Sequence, residues 1–349
     1  MSANPIYHLK DAYFFEVPKG LWRRDWKTLE EVPSEYRAWN PEVHDVREFN
    51  EGLSGKIIIP QPFGKLQSLY TAESGFCISK YMILELIVGG AMLLMFSWLA
   101  KRIASGAPAK GRFANLLESM LLFVRDQIAR PAIDDPHAHE HADEHAHGHD
   151  HSHDHGHGHG HHAHAAPKHA GDAYVPFLWT LFFFILGCNL LGLVPWAGSP
   201  TAHIMVTLAL AATTFLAGIL GGFKSLGPLG YLKNYIPAID MPGYLLPLKW
   251  VIQGLLFAIE IGSLLIKHLI LAIRLLANMV AGHLVLLGIM GLIPLAAGYS
   301  FGTWSTVTGI SVVGSTLFSV LELFVAFLQA YLFTFLSALF IGSSVHSHH

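Results

Sequence analysis

The chain has 349 residues, 52% of them hydrophobic and only 13% charged, with a formal net charge of −3. That net charge carries no message about nucleic acid, since any bias is local, and several apolar runs reach the roughly 20 residues that cross a bilayer as helix. An all-α polytopic membrane protein is expected, with about five membrane helices and one interfacial amphipathic helix. Two distant cysteines, Cys77 and Cys188, imply no disulfide framework.

Residues 1–80 are polar and aromatic, with prolines at 5, 18, 33, 41, 60 and 62 and no sustained period. They read as a small extramembrane segment whose fold the pattern does not specify. No cleavable signal peptide is expected, because the first apolar run begins only near Tyr81. That run ends at about Leu99 and is followed by Lys101, Arg102, Lys110 and Arg112, which makes this end cytoplasmic and the N-terminus external. Residues 112–130 place Phe113, Leu116, Leu117, Met120, Leu121, Val124 and Ile128 on one helical face, as in a helix lying in the membrane interface.

A His-rich insert follows and holds 15 of the chain's 23 histidines. Such low-complexity sequence cannot form a core and is expected to be a disordered linker with incidental affinity for zinc or nickel. The alternative is a dedicated metal- or pH-sensing role. Further spans are expected at about Tyr174–Val194 and Thr201–Gly221, with a connector carrying Lys224, Lys233 and Lys249. The next apolar region, roughly 245–297, is either two helices broken near Lys267–His268 or one long tilted helix; the last, about Trp304–Ile341, is also over-long. The chain thus divides into 1–80, the N-terminal segment; 81–136, the first membrane helix and interfacial helix; and 137–170, the insert. Then come 171–243, two membrane helices and a connector; 244–343, a C-terminal helical hairpin; and 344–349, a polar tail.

Within the long apolar region stand Glu260, Ser263, Lys267, Arg274 and Asn278, which fall in one sector roughly 60° wide on a helix wheel. His283 points to the opposite side, and Glu322 and Gln329 share a face of the last segment. Asn278 and Gln329 taken alone are equally well structural polar pairs that knit helices together. An arginine that cannot shed its charge, set with two carboxylates and a histidine at membrane depth, points instead to a proton relay. With Glu260 nearer the cytoplasm, Arg274 midway and His283 and Glu322 nearer the outside, two polar zones flank a fixed positive charge. The arrangement offers proton access from each side with a barrier between.

These residues resemble a known family. AIRLLANMVAGH (272–283) and ELFVAFLQAYLFTFLSALFIG (322–342) are similar to the two C-terminal motifs of the F-type ATP synthase subunit a, and NLLGLVPWAGSPTAHIMVTLAL (189–210) to its second and third membrane helices. The resemblance covers approximately 80–340 apart from the insert and leaves the first 80 residues uncovered. It implies that Arg274 faces the carboxylates of a rotating c-ring, with Asn278 and Gln329 in support. It places Glu260 and Ser263 in an inner half-channel and His283 and Glu322 in an outer one, with the last two helices tilted along the ring. The implied partners are the c-ring, b-type peripheral stalk subunits, lipid and protons. A bacterial inner membrane and a cytoplasmic C-terminus are implied too. His203 departs from the usual Asn or Asp and reads as structural or solvated rather than as part of the relay.

No G-x-x-x-x-G-K-[ST] occurs, so this chain is expected to bind no nucleotide and no cofactor and not to be catalytic by itself. A metal-ion transporter would place ligand clusters on its spans, yet before residue 245 these offer only Glu85 and His203. A secondary antiporter would show internal repeats and Gly/Pro-broken helices in matching positions, and no repeat is present.

Overall fold

A computed structural model describes residues 11–39, 43–104, 111–134, 169–194, 197–234 and 246–345. The His-rich tract from 137 to 168 and residues 346–349 of the tail lie outside the described residues. Five helices are long and apolar enough to cross a membrane. These are α3 (Lys80–Ile103), α6 (Val175–Gly192), α7 (Ile204–Asn234), α8 (Leu246–Ala296) and α9 (Phe301–Val345). The chain forms two compact units, one of residues 1–97, 184–208 and 273–329, the other of 98–183, 209–272 and 330–349.

The first unit begins with a folded N-terminal domain. Strand β1 (Phe14–Glu16) pairs antiparallel with β2 (Lys56–Ile58), Phe14 opposite Ile58. Strand β3 (Gly64–Leu66) pairs with β4 (Ala72–Gly75). Between β1 and β2 in the chain lie α1 (Ser34–Trp39) and α2 (Val46–Leu53), the second capped by Asp45, whose carboxylate accepts the Arg47 N–H at 3.0 Å. The core is Val32, Phe49 and Leu53, with Trp26, Tyr36, Val43, Ile58 and Leu69 packed against it. Asn50 ties the preceding loop down by exchanging two hydrogen bonds with the Trp26 backbone, at 3.1 and 2.9 Å. The turn into β2 needs Gly55: φ is 78°, and a Cβ there would stand 2.7 Å from the Val17 carbonyl oxygen. A core assembled from residues 26 to 69 with no regular period is why the sequence pattern alone did not yield it.

In the second unit, α4 (Arg112–Phe123) runs through a π-helical turn (Val124–Ala129) into α5 (Arg130–Ile133). Leu117, Val124 and Ile128 of the expected apolar face are buried, while Phe113 and Leu116 are exposed. The buried side packs on protein. Trp179 Nε1 donates to the Leu121 carbonyl at 2.9 Å, and the rings of Phe123 and Tyr331 lie 5.8 Å apart. At the end of α5 the two flanks of the insert are clasped. Arg130 donates bidentately to Asp172 at 2.9 and 3.0 Å, and Asp134 meets His169 Nδ1 at 2.6 Å and the Gly171 N–H at 2.8 Å. The Arg130 guanidinium holds the Asp172 carboxyl below the ordinary aspartate range, and that of Arg125 does the same for Asp126.

One expectation is corrected. The third span does not stop at Gly221: α7 continues to Asn234 and breaks its helical dihedrals only at Gly227 (φ 72°, ψ 162°), just before Pro228. Lys224 therefore sits on a helix, and Ser225 donates to the Val345 carbonyl at 2.9 Å, closing the end of α9. Of the two readings open for the region 245–297, the single long helix is the one present, with no break at Lys267–His268. Helix α8 is continuous over 51 residues, about 76 Å at 1.5 Å per residue, far more than a perpendicular crossing requires. His268 is buried between the rings of Phe215 and Phe340, at 5.1 and 4.7 Å, and its Nδ1 meets the Leu264 carbonyl at 2.9 Å. Packed as an aromatic, it supports the helix rather than ending it.

Candidate functional site

Helices α8 and α9 are long and largely apolar, so away from their ends and Pro294 the backbone polar groups pair within the helix and side chains supply the chemistry. Leu271, Ala272, Leu275 and Met279 bury one side of α8 around Arg274. Arg274 itself is half-buried, and its Nε and Nη2 are buried with no hydrogen-bond partner. An arginine left with free donors in this setting is available to a charged group from outside the chain.

One turn further on, Asn278 Nδ2 donates to Gln329 Oε1 at 2.6 Å, which joins α8 to α9. Gln329 is buried and its Nε2 has no partner. Nearer the α8–α9 turn, His283 Nδ1 and Glu322 Oε1 stand 3.9 Å apart. That is beyond hydrogen-bond length and within reach of a side-chain rotation. His283 Nε2 and both Glu322 carboxylate oxygens are buried and unpartnered. Glu322 can approach so closely because residue 282 is glycine, where a Cβ would overlap its Oε1. Arg274, Asn278, His283, Glu322 and Gln329 all belong to the first unit, where Asn278 is paired with Gln329 and His283 stands next to Glu322. Glu260 and Ser263 lie earlier on α8, in the second unit, the first exposed and the second half-buried.

A protein-family model described as ATP synthase A chain matches residues 161–342. ATP synthase subunit a of Myxococcus xanthus (strain DK1622) is 37% identical over 262 residues, which are 74% of this chain and 70% of the relative. That of Chlorobium phaeobacteroides (strain DSM 266 / SMG 266 / 2430) is 32% identical over 302 residues, 85% of this chain and 74% of the relative. A third, from Anaeromyxobacter sp. (strain Fw109-5), is 30% identical across all 349 residues and over 71% of its own length. The chain belongs to the ATP synthase subunit a family. Similarity to the Anaeromyxobacter subunit a extends through residues 1–80, so the N-terminal domain is not outside the resemblance as expected. The chain is a multi-pass membrane protein like the family's bacterial members.

For a subunit a, one feature of this site was missed in the sequence. Asn189, in the last turn of α6, is fully buried; its Oδ1 accepts from Thr201 Oγ1 at 2.7 Å and its Nδ2 donates to the Ala326 carbonyl at 3.3 Å. Ser199 extends the network to Thr201 at 2.8 Å. These bonds fix α9 one turn beyond Glu322. A lone asparagine inside GCNLLGLV was the available signal, since a buried amide among apolar residues must find partners. His203 sits outside this network beside Tyr81, with ring centroids 6.0 Å apart. Among the described residues no group of three or more His, Cys, Asp or Glu side chains is placed to hold a metal ion.

Proposed function

We propose that this chain is the stator subunit of an ATP synthase Fo sector, forming two proton half-channels against a rotating c-ring. The observation that carries the reading is the set of unpaired polar groups in the C-terminal hairpin. Arg274 has free donors, and a separate His283–Glu322 pair lies toward the α8–α9 turn. The family match over residues 161–342 supports it.

A proton enters from the outer side, passes His283 and Glu322, and neutralises a c-ring carboxylate. The neutral group then turns into lipid without the several kcal/mol an ionised carboxylate would cost there. After nearly a full turn it reaches the inner half-channel at Glu260 and Ser263 and gives the proton up. Arg274 attracts the ionised form and blocks direct passage between the two arms, while Asn278 and Gln329 hold the hairpin around it. ATP synthesis itself belongs to partner subunits, and b-type stalk subunits hold this chain against the torque. The site sits in a bacterial inner membrane with the N-terminus outside and the C-terminus in the cytoplasm.

The test is ATP-driven proton pumping by the assembled complex in membrane vesicles with Arg274→Ala. Loss of pumping, with passive leak unchanged or raised, is the expected result. Normal pumping would overturn the half-channel reading.

A further inference from the structure

The hydroxyls of α9 fall into two groups. Most donate to a carbonyl about one turn back. Ser305 and Thr306 donate to Gly302, Ser315 and Thr316 to Val312, Ser319 to Ser315, Thr334 to Ala330 and Ser337 to Phe333, at 2.7 to 3.1 Å. Thr308 and Ser311 do not. Their oxygens are buried with no hydrogen-bond partner, although the same backbone acceptors lie one turn behind them. Ser311 is 2% exposed while its neighbour Ile310 is 69% exposed, so the hydroxyl is turned inward and the isoleucine outward.

At 100° per residue, Thr308, Ser311 and Glu322 fall in one sector roughly 60° wide, and at 1.5 Å rise Ser311 is about 16 Å and Thr308 about 21 Å from Glu322 along α9. That stripe faces α8. Glu322 lies on Gly282, and a Cβ at Gly314 would meet Ile289 Cγ2 at 3.9 Å and nothing closer, so α8 is the neighbour of α9 along this stretch and there is room for a methyl group at Gly314. Side chains three apart on a helix stand about 5–6 Å from each other, which two hydrogen bonds through one water span. Buried hydroxyls without a protein partner are groups that ordered water satisfies.

We propose that Thr308 and Ser311 form the access arm of the proton path. They hold a file of water between the end of the hairpin where α8 and α9 join and the Glu322–His283 pair. Ser315 is the next polar group along it; its hydroxyl donates to Val312 and keeps its acceptor lone pairs. The inference rests on the proton-transfer reading above and names the groups that lead protons to the pair.

The test uses the assembled complex in vesicles, with Cys77→Ser and Cys188→Ala to clear the native thiols. Thr308→Cys and Ser311→Cys are each treated with silver ion, and Ile310→Cys serves as the lipid-side control. Silver is expected to abolish most ATP-driven pumping in the Thr308 and Ser311 variants and to leave the Ile310 variant unchanged. Insensitivity of both Thr308→Cys and Ser311→Cys overturns the inference, as does equal sensitivity of Ile310→Cys. If one variant fails to assemble, the other decides. Glu322→Gln keeps the two levels apart. If it stops pumping while the cysteines are insensitive, only the access arm is wrong; if it pumps normally, the reading beneath it is wrong.

Discussion

Replacing Gly282 by alanine isolates the role of the His283–Glu322 pair without touching either member. A Cβ at this position would overlap Glu322 Oε1 and lie 2.9 Å from Cδ and 3.3 Å from Cγ, so the whole carboxyl arm must move. Driving a side chain off its rotamer costs about 0.5–1.5 kcal/mol, which read as a barrier is roughly a 2- to 13-fold loss of rate. Alanine in a helix interior meanwhile gains about 0.8–1 kcal/mol over glycine, so helix stability is close to unchanged and the loss is not one of folding. The assay is the initial rate of ATP-driven pumping, with the amount of assembled complex measured alongside. Against a Glu322→Asp background, whose shorter side chain leaves room for the methyl, Gly282→Ala should add no further loss. Parental pumping by Gly282→Ala, or an equal fold loss in both backgrounds, would refute the idea that Glu322 must sit where the glycine admits it.

Three further outcomes are expected. Because Asn278 donates to Gln329 at 2.6 Å, a double-mutant cycle with Asn278→Ala and Gln329→Ala in thermal denaturation of the complex should give a coupling of about 0.6–1.7 kcal/mol, as for intramembrane hydrogen bonds; a value near zero removes that link. His268→Phe should pump and assemble as the parent does, because the imidazole is packed as an aromatic ring between Phe215 and Phe340. His268→Ala should lower assembly through a cavity worth about 2 kcal/mol or more, and a pumping defect in His268→Phe would count against a purely packing role. The third concerns pH. Asp172 in the clasp is held below its ordinary value of 3.8 by Arg130, so its contribution is fully present above that value and fades as pH falls through the lower folded one. Hydrogen exchange at Arg130–Ile133 should therefore rise, relative to a residue far from the clasp, as pH drops below about 4. Asp172→Asn should remove that dependence.

The sequence by itself determined a great deal here because a bilayer leaves few solutions. Apolar runs of sufficient length must be helices, and charged or amide side chains inside them must be there for a partner or a task. Arg274, His283, Glu322, Asn278 and Gln329 all stood out on that ground, and the order of the helices put His283 and Glu322 on the same side of the membrane. The N-terminal domain was not legible, since Val32, Phe49 and Leu53 come together through irregular turns and share no helical or strand period. Only the tertiary structure decided the rest. It shows how α8 passes Lys267–His268 as one helix, since His268 is accommodated by aromatic rings from α7 and α9 that no local window contains. It fixed Asn189 as the tie to Ala326, 137 residues away, and set Glu322 on a glycine. It turned two hydroxyls inward where their neighbours bond to their own helix. Composition and period report which residue types a membrane admits. Which atoms meet depends on close packing between helices far apart in the chain, and that is a property of the folded molecule.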